Sequence, residues 1–366
     1  MPQRTRATAT ALWVVVAIGI TLGEGILHAS GYRPYETIQA ELSDARYGPR
    51  ITSNVWFKSV SGQPIYTVRA SSGSDHDKIR MVFVFGMHPR ELITTEAALR
   101  LIRTLGITSC ASFAGRLATS ILQHATIDII PLLNPDGRMR LERDGNHCWR
   151  GNANGVDLNR NFDWEWGGPG STAVRGSEEY RGPSAFSESE AAGLRDLILT
   201  NNYTAVVDVH SGEQQMFSAY VGTESKSLGR NSSNHGKEQD VIRRVVRQRY
   251  IRDGGVAHVA NSYTADGTLL DWASGAAAVP FVFCVESYGA IGTEDLGCLR
   301  QFNPDQRRVP RVLDRIEHAL LETIRAILDI AADVAFETQE PDPSSPLAQE
   351  RAAWFRAACE RQAGTQ

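Results

Sequence analysis

The chain has 366 residues, 42% of them hydrophobic, with 38 Lys and Arg against 42 Asp and Glu and a formal net charge of −4. That length accommodates one large α/β domain with short appendages, or two small domains. The near-neutral charge argues against a nucleic-acid partner, and no repeat at the period of a solenoid or propeller is present.

Residues 1–30 carry Arg4 and Arg6, then the apolar run Ala9 to Leu22, then small residues around Gly25 and Ala29-Ser30. This is the outline of a secretory signal. The run of roughly 14 residues falls short of the ~20 that span a bilayer. No clean A-x-A site follows, so an uncleaved signal anchor competes with a cleaved signal peptide. The expected location is secreted or lumenal, with no stable membrane insertion unless that segment stays in place. Secretion would make Asn202-Tyr203-Thr204 and Asn231-Ser232-Ser233 glycosylation acceptors in a eukaryote. No Pro/Ser-rich linker interrupts 36–333, which predicts one domain there. The tail 334–366 is Glu/Pro/Ser-rich to about Pro346, with a short candidate helix through Trp354 and Phe355.

Val82, Val84 and Phe85 form a strand-like run, and Leu92, Ala97, Ala98, Leu101 and Ile102 recur at helical spacing. Between them lies His88-Pro89-Arg90-Glu91, at a strand-to-helix corner of the kind that bears function in open α/β sheets. Asn134-Pro135-Asp136-Gly137 reads as a turn. The run Ala205 to Val209 ends at His210, and a strand there brings that ring to the same sheet edge. Arg243, Arg244, Arg247 and Arg249 read as the solvated face of a helix over 238–250. Phe281, Phe283 and Val285 alternate with Val282, Cys284 and Glu286, a buried strand delivering a carboxylate at its C-terminal end. Val309 to Ala335 is helix-like. His88, Glu91 and His210 are therefore candidate ligands for one zinc ion. Two histidines and one glutamate leave the fourth tetrahedral position open, as a catalytic site requires. Gly-x-Ser-x-Gly is absent, and Ser211-Gly212 lacks the surroundings of a nucleophile elbow.

In order and approximate spacing, several stretches resemble the zinc metallocarboxypeptidases of the carboxypeptidase A/B and regulatory carboxypeptidase superfamily. They are His88 to Thr94, Asn134 to Gly137, Cys148 to Phe162 with its Asp157-to-Phe162 core, and Tyr180 to Glu188. Asp208 to Ser211, Tyr263, Asp271-Trp272 and Glu286 complete the pattern over about residues 50–300. The resemblance implies a mixed, mostly parallel α/β sheet of about eight strands with helices on both faces, and a catalytic domain over 36–333. Ser53 to Ala70, with its Ser61-Gly62-Gln63-Pro64 turn, resembles that domain's opening β-hairpin. No room is left for an inhibitory prodomain before it or for a β-sandwich after it, so activity without proteolytic activation is expected.

The roles implied follow residue by residue. His88, Glu91 and His210 would bind zinc, and Asp157 would accept the other imidazole N–H of His88. Arg150 would stabilise the oxyanion. Asn159 and Arg160 would hold the substrate's terminal carboxylate, the guanidinium fork matching it bidentately. Tyr263 would close over the terminal residue, Arg90 would contact the peptide upstream, and Glu286 would be the general base. Asp271 to Glu286 is one residue longer than the pattern expects; the extra residue is assigned to Ala276-Ala277-Ala278. The side-chain pocket would have Leu270 as its floor and Val221 as a wall, which favours apolar or aromatic terminal residues on peptide or protein substrates. The short stretch between Arg150 and Arg160 instead resembles the regulatory branch, with its preference for basic residues. An aspartoacylase-like deacylase and an inactive zinc-dependent binding module compete with both. Tyr263, Asp271-Trp272 and Tyr180 to Glu188 argue against the deacylase. Five cysteines leave Cys284–Cys298, Cys110–Cys148 and a fully reduced chain all open, with Cys359 left over in the tail.

Overall fold

The computed structural model describes residues 31–44, 47–75, 78–260, 263–289 and 297–331. The signal-like segment, the tail with its candidate helix, and Cys359 lie outside the described residues. The described residues form eight strands: β1 (Ile51–Lys58), β2 (Pro64–Ala70), β3 (Ile79–Phe85), β4 (Ala125–Ile130), β5 (Ala205–His210), β6 (Gln215–Ser218), β7 (Asp253–Val256) and β8 (Phe281–Glu286). They make one mixed sheet in the order β1-β2-β4-β3-β5-β8-β6-β7. The centre, β4-β3-β5-β8, is parallel, as is β6-β7. Pairs β1-β2, β2-β4 and β6-β8 are antiparallel. The expected opening hairpin is β1-β2.

Central parallel strands must be covered on both faces, and their sequences are accordingly apolar almost throughout. One face carries Met81, Phe83, Phe85, Val207, Val209, Phe283 and Val285. Against it lie helices α1 (Tyr35–Asp44), α2 (Leu92–Gly106) and α3 (Phe113–His124). The helix α4 (Pro135–Asp144) adds Leu141 to this core. The other face carries Val82, Val84, Val206, Val282 and Cys284, packed on α5 (Ser189–Asn201). The helices α6 (Thr223–Ser227), α7 (His235–Arg247), α8 (Ala257–Ala260), α9 (Leu269–Gly275), α10 (Gly297–Phe302) and α11 (Val309–Ala331) follow. Helices α7 and α11 join the first core and α9 the second. Val312, Ile316, Ala319, Leu320, Ile324 and Ile327 give α11 its buried stripe at helical spacing. Among the described residues, no helix is long and apolar enough to cross a membrane.

Asn134 to Gly137 is a helix start rather than a free turn. Asn134 caps α4 by accepting the Gly137 N–H at 2.9 Å, with Pro135 in the first helical position. The helix expected over 238–250 begins earlier and ends at Arg247, leaving Arg249 beyond it at φ +60°. Among the described residues a disulfide joins Cys148 to Cys298, with Cα atoms 5.2 Å apart. This corrects both expected pairings and the fully reduced chain. Cys284 is a buried free thiol because it lies inside β8 on the α5/α9 face, whereas Cys298 sits on α10.

Candidate metal centre and its surroundings

Residue parity builds the site. Side chains two apart on a strand share a face, so Asp208 and His210 on β5 project with Cys284 and Glu286 on β8. The parallel register sets Asp208 opposite Cys284 and His210 opposite Glu286. These polar groups therefore stand where the apolar stripe of the two strands ends. From β3 the chain turns at Gly86, whose φ is +62° and whose added Cβ would lie 2.8 Å from Leu132 and 3.1 Å from its Cα. That turn carries His88 to the head of α2. Glu91 occupies the N-cap position of α2, yet its side chain makes no capping bond. Its carboxylate faces the histidines instead.

His88 Nδ1 lies 2.8 Å from Glu91 Oε1, and His210 Nδ1 lies 3.1 Å from both Glu91 Oε2 and His88 Nδ1. All three residues are buried. Burial would raise the Glu91 carboxyl, but the His88 and His210 rings hold it below its ordinary range. The other ring nitrogens are anchored outward: His88 Nε2 to Asp157 Oδ1 at 3.0 Å and His210 Nε2 to Asp208 Oδ2 at 2.8 Å. Both imidazoles thus turn Nδ1 inward. Tetrahedral zinc, with bonds of ~2.0–2.1 Å, sets its ligand atoms about 3.3 Å apart. The three inner atoms are close to that spacing, so the donor set fits one zinc ion.

Asp157 is shared: its Oδ2 accepts from Arg150 Nε at 2.8 Å and lies 3.8 Å from Arg160 Nη1. Burial opposes ionisation of Asp157, but Arg150 and His88 hold its carboxyl well below the usual range. Asn159 accepts the Leu269 N–H through Oδ1 at 2.9 Å, and its Nδ2 lies 3.5 Å from His210 Nε2. Arg160 donates through Nε to the Gly170 carbonyl and through Nη1 to the Asn159 carbonyl.

Glu286 is brought beside the cluster from β8. Burial pushes its carboxyl up to about 7; His210 pulls it down, while Glu91 and Glu213 add to the rise. Its Oε2 is buried without a hydrogen-bond partner among the described residues. Gly212 (φ +151°) makes room, since a Cβ there would sit 3.0 Å from the Phe302 ring and 3.7 Å from that oxygen. Tyr263, 51% exposed, is electrostatically linked to Glu286, Arg160 and Arg150. Leu270 is buried in the first turn of α9, and Val221 is buried beside its N-terminus, where the Val221 N–H donates to Asp271 at 3.0 Å. Arg90 Nη1 pairs with exposed Glu178 at 2.8 Å and also donates to the Cys148 carbonyl, and the guanidinium lies over the Phe302 ring.

Sequence reasoning missed Asp208 as a partner of His210, although strand alternation places it on the ring's own face. It missed Asp271 as the carboxylate that holds Val221, and the Cys148–Cys298 tie beside Arg150.

A mixed α/β sheet with a His–Glu–His cluster at the carboxyl ends of its central parallel strands defines a protein with a donor set for one zinc ion. The chain belongs to the zinc carboxypeptidase family, whose sequence model matches residues 41–308. It is 30% identical over 243 residues to zinc carboxypeptidase A 1 of Drosophila melanogaster, covering 63% of this chain and 54% of that protein. With carboxypeptidase A2 of Rattus norvegicus it shares 28% over 264 residues, 68% of this chain and 61% of the other. The chain therefore spans little more than half the length of these relatives. In fold it is similar to carboxypeptidase A from Helicoverpa armigera, with TM-score 0.67, 24% identity and coverage of 88% and 82% of the two chains. It is likewise similar to thrombin activatable fibrinolysis inhibitor, with TM-score 0.68, 21% identity and coverage of 81% and 75%.

Proposed function

We propose that this protein is a metallocarboxypeptidase, hydrolysing the last peptide bond of peptides or proteins and preferring apolar or aromatic terminal residues. The observation that carries the reading is the convergence of His88 Nδ1, Glu91 and His210 Nδ1 beside the unpartnered Oε2 of Glu286. His88, Glu91 and His210 would hold the zinc ion, which supplies Lewis acidity and a lowered pKa for water when bound. Glu286 takes a proton from the attacking water and returns it to the departing amine; its upward-shifted carboxyl suits both directions of transfer. Arg150, fixed by Asp157, offers its outer nitrogens to the oxygen that gains charge.

Asn159 and Arg160 receive the terminal carboxylate. Arg160 Nε and Nη1 are engaged by backbone carbonyls, so Nη2 is the nitrogen that reaches substrate. Tyr263, exposed at the rim, closes over the bound residue. The apolar preference rests on Leu270 and Val221. Neighbouring carboxylates do not offset it, because Asp271 is engaged by the Val221 and Gly222 N–H groups and Asp266 by those of Gly170 and Thr223. Among these described residues a cationic terminal side chain would meet no free counter-charge, and it would lose its hydration. Arg90, paired with Glu178, would reach an upstream residue only by leaving that partner. Secretion through residues 1–30 belongs to the same reading.

The test is amino-acid release from peptides ending in Phe, Leu, Arg and Lys, with and without a chelator. Chelator-sensitive release of Phe and Leu is expected. Preferential release of Arg would overturn the specificity, and deacylation of N-acyl amino acids with no release from peptides would overturn the exopeptidase reading.

A further inference from the structure

Asp208 is 1% exposed and lies on the covered face of β5. Its Oδ2 is 2.8 Å from His210 Nε2, and its Oδ1 has no hydrogen-bond partner among the described residues. Across the β5-β8 register stands the buried Cys284, a thiol rather than a cation. No Lys or Arg is paired with Asp208 among the described ion pairs, in contrast to Asp157, which is shared between His88 and Arg150. A carboxylate buried with one imidazole as its only hydrogen-bonded partner does little for the fold, since desolvating it costs more than one such bond returns.

We infer that Asp208 is a positioning residue for the metal centre, holding His210 as the Nε2–H tautomer with Nδ1 turned towards His88 and Glu91. This rests on the zinc-hydrolase reading and adds a residue to it. The ring has one other polar neighbour at Nε2, the Asn159 amide at 3.5 Å. A neutral N–H donor at that distance would favour a bare Nε2, but the shorter contact to a charged acceptor decides the proton's place. The two ligand imidazoles are then each backed by a carboxylate, Asp157 behind His88 and Asp208 behind His210. Only the Asp157 carboxylate has part of its charge drawn off by a guanidinium, which leaves Asp208 to strengthen its histidine as a ligand without competition.

The experiment uses the full chain and its Asp208→Asn and Asp208→Ser variants. Zinc affinity is measured by competition with a chromophoric chelator, and the ligand field by the absorption spectrum of the cobalt(II)-substituted protein. Each variant is expected to bind zinc about 10–100-fold more weakly and to show an altered cobalt spectrum, while its metal-free circular dichroism stays that of the parent. Nitrogen-15 NMR of histidine-labelled, zinc-loaded parent protein should show His210 protonated at Nε2, a readout that needs no variant. Parent-like zinc affinity and cobalt spectrum in the variants, or His210 ligating through Nε2, would overturn the inference while leaving the zinc-peptidase reading intact. A parent chain that neither binds zinc nor releases C-terminal residues would overturn both.

Discussion

Glu286 sits opposite His210 in the sheet register, with one carboxylate oxygen buried and unpaired. A group placed to accept and return a proton needs an intermediate affinity for it, and burial lifts this one to about 7. Replacement by Gln keeps the shape and removes the base. Glu286→Gln is expected to lower kcat by roughly 10²–10⁴-fold with zinc still bound, as metal analysis of the purified variant would show. An unchanged rate would exclude Glu286 as the base. As the proposed base, Glu286 would work ionised, so turnover in the parent should rise with pH through its pKa, which a nearby dication moves below the metal-free value. Leu270 belongs to the same scale. With Leu270 as the proposed pocket floor, Leu270→Asp would put a carboxylate where a cationic terminal side chain would sit, so Phe release should fall about 10–100-fold and Arg release should rise relative to it. An unaltered Phe-to-Arg ratio of kcat/KM would place Leu270 outside the pocket.

At the scale of elements, Val221 to Ser225 is held down by three carboxylates. Asp271 accepts from the Val221 and Gly222 N–H groups, Asp266 from Thr223, and Glu165 from Glu224 and Ser225. Burial pushes the Asp271 carboxyl from 3.8 up to about 7, the two N–H donors opposing and Glu165 and Asp266 adding to the rise. A folded-state pKa above the unfolded one means that the native state binds the proton more tightly. Its contribution therefore favours folding at low pH and is lost as pH rises from about 4 to 7, by on the order of 4 kcal/mol. Asp271→Asn removes that titration. In urea unfolding across this range, the parent should lose stability relative to the variant by such an amount. Parallel pH profiles would show that Asp271 does not carry the proton.

The same scale separates what is legible in the sequence from what is not. The ends of β3, β5 and β8 follow from apolar runs, and with them the convergence of His88, His210 and Glu286. Asn134 reads as a turn residue because a cap and a turn share the same side-chain chemistry. The pairing of Cys148 with Cys298 joins a loop to α10 over 150 residues of sequence, a distance on which local pattern is silent. Strand alternation, however, already puts Cys284 on the buried face with Glu286. For Arg90 the family resemblance implies a substrate contact, but its pairing with Glu178 has no local signal. The position of Glu178 depends on how the long loop between Phe162 and α5 folds, and no periodicity reports that.

For the molecule as a whole, the metal centre joins the β3–α2 corner to the end of β5 across the middle of the sheet. Without a cation it gathers the carboxylates of Glu91, Asp157, Asp208 and Glu286 near two imidazoles, with Arg150 the guanidinium hydrogen-bonded to Asp157. Folding must then bring like charges together in a buried place, and a bound dication relieves them. Zinc that binds the folded chain and not the unfolded one stabilises it by about 4 kcal/mol when free metal exceeds Kd a thousandfold. An unfolding entropy near 2.1 cal/mol/K per residue converts this to a rise in Tm of roughly 5–7 °C for a chain of this size. Scanning calorimetry of chelator-stripped protein, then of the same protein with zinc restored, should show that rise. Magnesium should not reproduce it, because a site with two imidazole donors is a poor match for a cation that prefers oxygen. Superimposable melting curves with and without zinc would mean that these side chains converge without forming a metal site.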